Sequence, residues 1–312
     1  MFLQKIRISI TKLILPFLHK FLQLLKANTR TVNFLNDKRI DANNTYNFQK
    51  NIEDLLKNKK LIALDVGAHG GFNSDKFFHE RYEKYFESIL VDPLKDSMKN
   101  VKSEHVIKKG LWSSKIIKKF YILNKRPQSS SMYETDKNSL PIYGFKEKDL
   151  HLFDVGKTEM IECDTLSSSL KEQNINTLDY LKIDTQGAEL EILKGLDSYR
   201  PLMIKCEVRI FPMYKKEPSW TEITNFLYKL GYMVSDWKKI GPHTTRTPVE
   251  MDMVFMPNFL MDSGRKLIQE KEKEFISLML ITGQIELLKK VSKILNLRYS
   301  EFCMRFEDKY FN

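Results

Sequence analysis

The side chains in this chain best suited to chemistry stand at the ends of short apolar runs. Asp65 closes LIALDV (61–66) and leads into the turn GAHGG, where Gly67 and Gly71 let backbone approach a ligand closely. Asp92 closes SILVDP (88–93), Asp184 closes DYLKID (179–184), and Glu207 comes at the end of PLMIKCEV (201–208). Gly110 ends HVIKKG (105–110). The glycine turn is not a dinucleotide fingerprint, because Phe72 and Ser74 occupy the positions where G-x-G-x-x-G needs glycine. An acid ahead of such a turn suits a cationic, hydroxyl-bearing ligand better than a pyrophosphate. A tight turn with no ligand is the competing reading.

The runs themselves have strand length, and helical patterns alternate with them over 73–86, 188–196 and 221–230. Further strands are expected at 116–123, 232–237 and 251–256. This alternation predicts an α/β fold, a Rossmann-like, doubly wound and largely parallel sheet with helices on both faces. Such sheets bind ligands at the carboxyl ends of their strands, where chain order reverses. The strand-end acids are therefore the residues to watch. S-adenosylmethionine matches their chemistry, with an ammonium, a sulfonium and ribose hydroxyls but no phosphate; Asp92 is placed to accept from both hydroxyls.

DVGAHGG, VDP, SSSM (129–132) and above all LDYLKIDTQGAELEILKG (178–195) resemble the FkbM family of S-adenosylmethionine-dependent methyltransferases. Gly231-Tyr232 and the D-x-V-F strand at 252–255 match the family's last elements. The resemblance spans about residues 60–258 and implies a class I methyltransferase sheet. It also implies that Asp65, Gly67, Ala68 and Gly71 border the methionine part of the cofactor, Asp92 its ribose, and Lys109, Gly110 and Leu111 its adenine. The chain departs from the family pattern at His69, Asp92 and Ser167, where the family usually has Asn, Glu and Asp. The implied reaction is O-methylation, of a sugar or polyketide-type hydroxyl, and the expected acceptor is a sugar hydroxyl in a bacterial surface glycan or its lipid-linked precursor. A noncatalytic module of the same fold in an envelope assembly complex is the alternative.

Methyl transfer to a hydroxyl needs a base. Asp184 is the first candidate, although the same carboxylate suits a cofactor ammonium or a helix N-cap. Glu207 is the second catalytic candidate, to orient substrate or to pair with Lys205 and Arg209. Glu189 stands in the first turn of a helix, where an acid complements the dipole. No metal motif is present, and no metal is expected; a cation held by Asp184, Glu207 and Asp252 is the weaker idea. Cys163, Cys206 and Cys303 lie far apart without ligand spacing, which supports neither a zinc site nor a disulfide framework.

The 312 residues are expected to divide into a basic arm (1–59), the catalytic domain (60–258) and a helical extension (259–312), with helices over 264–281, 284–295 and 299–310. The net charge of +11 is uneven: residues 1–60 hold 12 basic and 4 acidic side chains, residues 61–260 hold 29 and 28. The excess therefore belongs to the arm, not the core, and nucleic acid is not expected as a partner. Within 1–26, Lys5, Lys12, His19 and Lys26 recur every seven residues among Leu, Ile and Phe, the pattern of an amphipathic helix bent at Pro16. It is too interrupted by charge to span a bilayer. It can lie on an anionic membrane through residues 1–36, cap the domain or join two copies in a homo-oligomer. No small-residue cleavage site follows it, so the expected location is cytoplasmic, with peripheral contact at the inner membrane face. Seven basic residues and no acid fall between Lys108 and Arg126. They read either as a patch facing an anionic glycan or phospholipid-linked substrate or as solvated strand positions. The polar segment 133–157 is expected to be a lid or substrate loop.

Overall fold

The computed structural model describes residues 47–94, 105–240 and 247–298. The chain divides into two units, Met1–Phe48 and Gln49–Asn312, and the second carries the sheets, the helices and the candidate site. The arm helix over 1–26 and the helix expected over 299–310 fall outside the described residues.

Ten strands are described: β1 (Leu61–Val66), β2 (Phe86–Val91), β3 (His105–Ile107), β4 (Gly110–Leu111), β5 (Ile116–Ile122), β6 (Lys157–Asp164), β7 (Tyr180–Ile183), β8 (Met203–Arg209), β9 (Tyr232–Ile240) and β10 (Glu250–Pro257). Seven form one sheet in the order β3-β2-β1-β7-β8-β10-β9. Its pairings are parallel up to β8, and β10 runs antiparallel to both of its neighbours. This is the expected Rossmann-like methyltransferase sheet. Strand order reverses between β1 and β7, which puts the ligand edge at the ends of those two strands.

The helices are α1 (Gln49–Leu56), α2 (Leu166–Glu172), α3 (Glu189–Lys194), α4 (Trp220–Lys229), α5 (Asp262–Glu270), α6 (Glu272–Ile281) and α7 (Ile285–Leu295). On one sheet face Leu64, Ile89, Leu181 and Ile204 form a dry core with Leu170 of α2, Leu193 of α3 and Leu227 of α4. Burial of these side chains supplies most of the drive to form this layer, at roughly 1.5–3 kcal/mol each. On the other face, residues of alternate parity form a charged row: Asp65, Lys182 and Lys205 are register partners on β1, β7 and β8. All three are buried, so each charge needs a partner in the protein.

Four expectations are corrected. The helix over 73–86 is absent: this stretch is a turn-rich loop ending in a short 3-10 helix, Glu80–Tyr85. Asn73 and Lys76 adopt positive φ of 56° and 52°, and the Asn73 amide bonds to the backbone of Phe78 in both directions. The loop instead lays Phe72, Phe77 and Phe78 against Phe86 and Tyr180, covering the charged face with aromatic rings. The 116–123 strand does not extend the parallel sheet; β5 pairs antiparallel with β6 in a second sheet of order β4-β6-β5. The 105–110 run splits between the two sheets at Lys108-Lys109. Strand β6 and helix α2 add to the expected pattern. The 133–157 segment carries two 3-10 helices, Leu140–Tyr143 and Glu147–Phe153, packed around Phe153, Met213 and Tyr214. The helix expected over 264–281 breaks at Lys271, whose ammonium reaches Asp179 at 2.8 Å.

Candidate active site

Gly67 follows β1 at φ +81°, and a Cβ there would lie 1.9 Å from the Asp184 carbonyl oxygen. Only glycine fits, and the strand ends are drawn together as a result. Gly67 N–H donates to Val91 O and Asp184 N–H to Val66 O. Asp92, Gly67 and Asp184 thus stand side by side at the ends of β2, β1 and β7. With strands about 4.8 Å apart, the two carboxylate-bearing residues are separated by roughly 10 Å.

These three residues line one cavity of about 800 Å³. Lys109, Gly110 and Leu111 form part of its wall, while Phe120, Ile122 and Ile161 from the second sheet close another side. Asp92 is buried, and its Oδ1 accepts from Leu94 N–H at 2.8 Å. The cavity's lysines are balanced locally: Lys109 pairs with Glu172 at 2.7 Å and Lys157 with Glu159 at 2.5 Å. Two strand-end acids on a wall of mixed apolar and polar residues, with the nearby ammonium groups neutralised, suit a ligand rich in hydroxyls and positive charge rather than a polyphosphate.

The other expected residues lie behind this wall. Asp65 is fully buried, and Lys182 Nζ donates to its Oδ1 at 3.0 Å. Burial raises the Asp65 carboxyl above its usual range, with Lys182 opposing. Ala68 and Gly71 are buried in the turn, where Gly71 N–H donates to Ala68 O. Glu207 does not line the cavity. Burial and the neighbouring Asp184 charge push its carboxyl well above the ordinary carboxylate range, with Arg209 opposing.

Arg209 organises the site's interior. Its guanidinium pairs with Glu207, with Glu217 at 3.1 Å and with Glu250 at 3.5 Å, and donates to Gln186 Oε1 at 2.9 Å. Tyr214 Oη also donates to Gln186 Oε1 at 2.9 Å. With Oε1 held by two donors, Gln186 Nε2 faces the acids and donates to Asp184 Oδ1 at 2.9 Å and Glu207 Oε1 at 3.1 Å. Neither Gln186 nor Arg209 stands out as a site residue in the sequence; the only signal is the place of Gln186 in KIDTQGAE.

The alternative uses of the acids are settled in part by these contacts. Asp184 is not a helix cap: the N-cap position of α3 is Ala188, without a side-chain cap, and Glu189 Oε1 accepts from Thr185 N–H at 3.0 Å and Gly187 N–H at 3.1 Å in the turn before the helix. Asp252 is held by Lys205 at 2.9 Å, which also binds Asp75 at 2.7 Å. Cations therefore already neutralise Glu207 and Asp252, and among the described residues no group of three or more candidate ligands could hold a metal ion. No helix among the described residues is long and apolar enough to cross a membrane.

A family model described as the methyltransferase FkbM domain matches residues 65–234. That span begins at Asp65, ends within β9 and includes Asp92, Asp184, Gln186 and the cavity wall contributed by the second sheet. No curated protein matches the chain.

Proposed function

The chain belongs to the FkbM methyltransferase family, and from that premise we propose that it is an S-adenosylmethionine-dependent O-methyltransferase acting on a hydroxyl of a saccharide-type acceptor. The observation that carries this reading is the row Asp92–Gly67–Asp184 at the reversal of strand order, opening on one cavity. The cofactor, when bound, supplies a methyl group activated on a sulfonium. The chain's residues fit it by chemistry: Asp92 would accept from ribose hydroxyls, Leu111 and Val91 offer apolar surface to adenine, and the glycine turn admits close backbone approach.

Asp184 would accept the acceptor hydroxyl's proton as the new bond to oxygen forms. Its Oδ1 is tied to Gln186, so the carboxylate is held in place for that task. Gln128, Ser130, Thr185 and Gln186 line the same cavity, and their amides and hydroxyls suit a hydroxyl-rich acceptor.

Calorimetric titration of the full chain with S-adenosylmethionine tests the reading. Wild type is expected to bind, and Asp92→Ala to bind about tenfold or more weakly, as for loss of hydrogen bonds to a charged acceptor. Absence of binding by wild type, or equal binding by both proteins, would overturn it.

A further inference from the structure

Of the seven basic residues between Lys108 and Arg126, only Lys109 has an ion-pair partner among the described residues. Arg126 is held by two aromatic rings and a hydroxyl together. Its guanidinium carbon lies 4.9 Å from the ring centre of Phe145 and 5.1 Å from that of Phe153, and its Nε donates to Ser129 Oγ at 2.7 Å. The two rings, with centres 4.8 Å apart, lie together on one side of the group, and the serine takes one edge. Its two terminal nitrogens form the planar fork that matches a carboxylate or phosphate. The group is half-buried, and its electrostatic neighbour Glu250 is already taken by Arg209 at 3.5 Å.

Arg126 stands behind the Asp184 side of the cavity, next to the lining residues and not among them. The next residues in the chain, Pro127, Gln128 and Ser130, line it. Tyr214 Oη lies within hydrogen-bond reach of Ser129 O at 3.0 Å and of Gln186 Oε1 at 2.9 Å, its one proton shared between the two acceptors, and Gln186 in turn holds Asp184. Asp92 is at the opposite side of Gly67.

We infer that Arg126 binds an oxyanion of the acceptor, so that the acceptor is an anionic saccharide carrying a phosphate or carboxylate. This rests on the reading that Asp184 marks the acceptor end of the cavity. The two sources of oxyanion share the chemistry of paired oxygens on a planar fork.

The test compares binding of glucose 6-phosphate, glucuronate and glucose to the full chain by saturation-transfer NMR, beside calorimetry with S-adenosylmethionine. Wild type is expected to bind one or both anionic sugars at least about tenfold more tightly than glucose, the scale of a charge-assisted pair. The anion that binds better identifies the group. Arg126→Gln should erase the preference and Arg126→Lys restore part of it. Ser129→Ala, which frees Nε without disturbing the aromatic packing, should weaken it, and serves if Arg126→Gln melts early. Equal affinity for the three sugars in wild type, absent binding included, or a preference unchanged in Arg126→Gln would overturn the inference. Loss of cofactor binding alone would sink the proposed function and leave the anion site standing; cofactor binding without anion preference would do the reverse.

Discussion

Gln186 Nε2 donates to Asp184 Oδ1 at 2.9 Å, while Arg209 and Tyr214 hold the other end of the same amide. Gln186 is therefore a positioning residue for the proposed base. It also keeps a neutral group between two carboxylates, Asp184 and Glu207. Gln186→Leu should lower kcat of methyl transfer about tenfold or more with little change in KM, the effect of one lost hydrogen bond to a charged group. Gln186→Glu should shift the acidic limb of the pH–rate profile upward, because a third carboxylate disfavours ionisation of Asp184. A profile unmoved by Gln186→Glu would show that the amide acts only on structure.

Gly67 and Asp184 are locked by their backbones, and this predicts the cost of a single methyl group. Alanine at 67 must take φ +81° and bring Cβ within 1.9 Å of a carbonyl oxygen. Strain of about 1–3 kcal/mol and a similar overpacking cost give an expected loss of roughly 2–5 kcal/mol. Urea unfolding of Gly67→Ala would measure it. A change below about 1 kcal/mol would mean that β1 and β7 can separate cheaply, contrary to their close backbone packing.

The two halves of the site differ in how readable they are. Strands β1, β2, β7 and β8 are buried on both faces, so they appear in the sequence as continuous apolar runs and their terminal acids stand out. The aromatic loop is hidden because Phe72, Phe77 and Phe78 fit a helical stripe as well as a folded-back turn; Asn73 decides the matter through its hydrogen bonds to backbone. Strand β6, KTEMIECD, is largely exposed along its first six residues and resembles a polar loop, and α2 is a single short helix with three serines. The Arg209–Gln186 network joins residues far apart in the chain, and no spacing rule announces such a contact.

Glu207 gives a pH test of the interior. Burial raises its folded-state carboxyl well above the unfolded value of about 4.3, and the nearby Asp184 charge adds to the effect. The folded protein thus binds this proton more tightly than the unfolded chain. Its contribution to stability is complete below about pH 4.3 and is lost as pH rises through the folded-state value. Denaturation midpoints should fall as pH rises above about 4.3 in wild type, and the fall should be smaller in Glu207→Gln, which keeps the shape and cannot titrate. Identical slopes in the two proteins would place the Glu207 carboxyl in the ordinary range.

The charge excess provides a test at the other end of the chain. Residues 61–260 are nearly balanced, with 29 basic and 28 acidic side chains, whereas residues 1–36 carry six Lys or Arg and no acid. Binding to anionic vesicles should therefore depend on the arm: each basic residue near such a surface contributes about 1 kcal/mol, and salt should weaken the attraction. Deleting residues 1–36 is expected to release the protein from vesicles containing phosphatidylserine in a sedimentation assay, with affinity for S-adenosylmethionine retained, since the described cavity residues run from Val66 to Ile192. Equal sedimentation of the full and shortened chains would refute a membrane role for the arm. Release accompanied by loss of cofactor binding would show instead that the arm supports the domain.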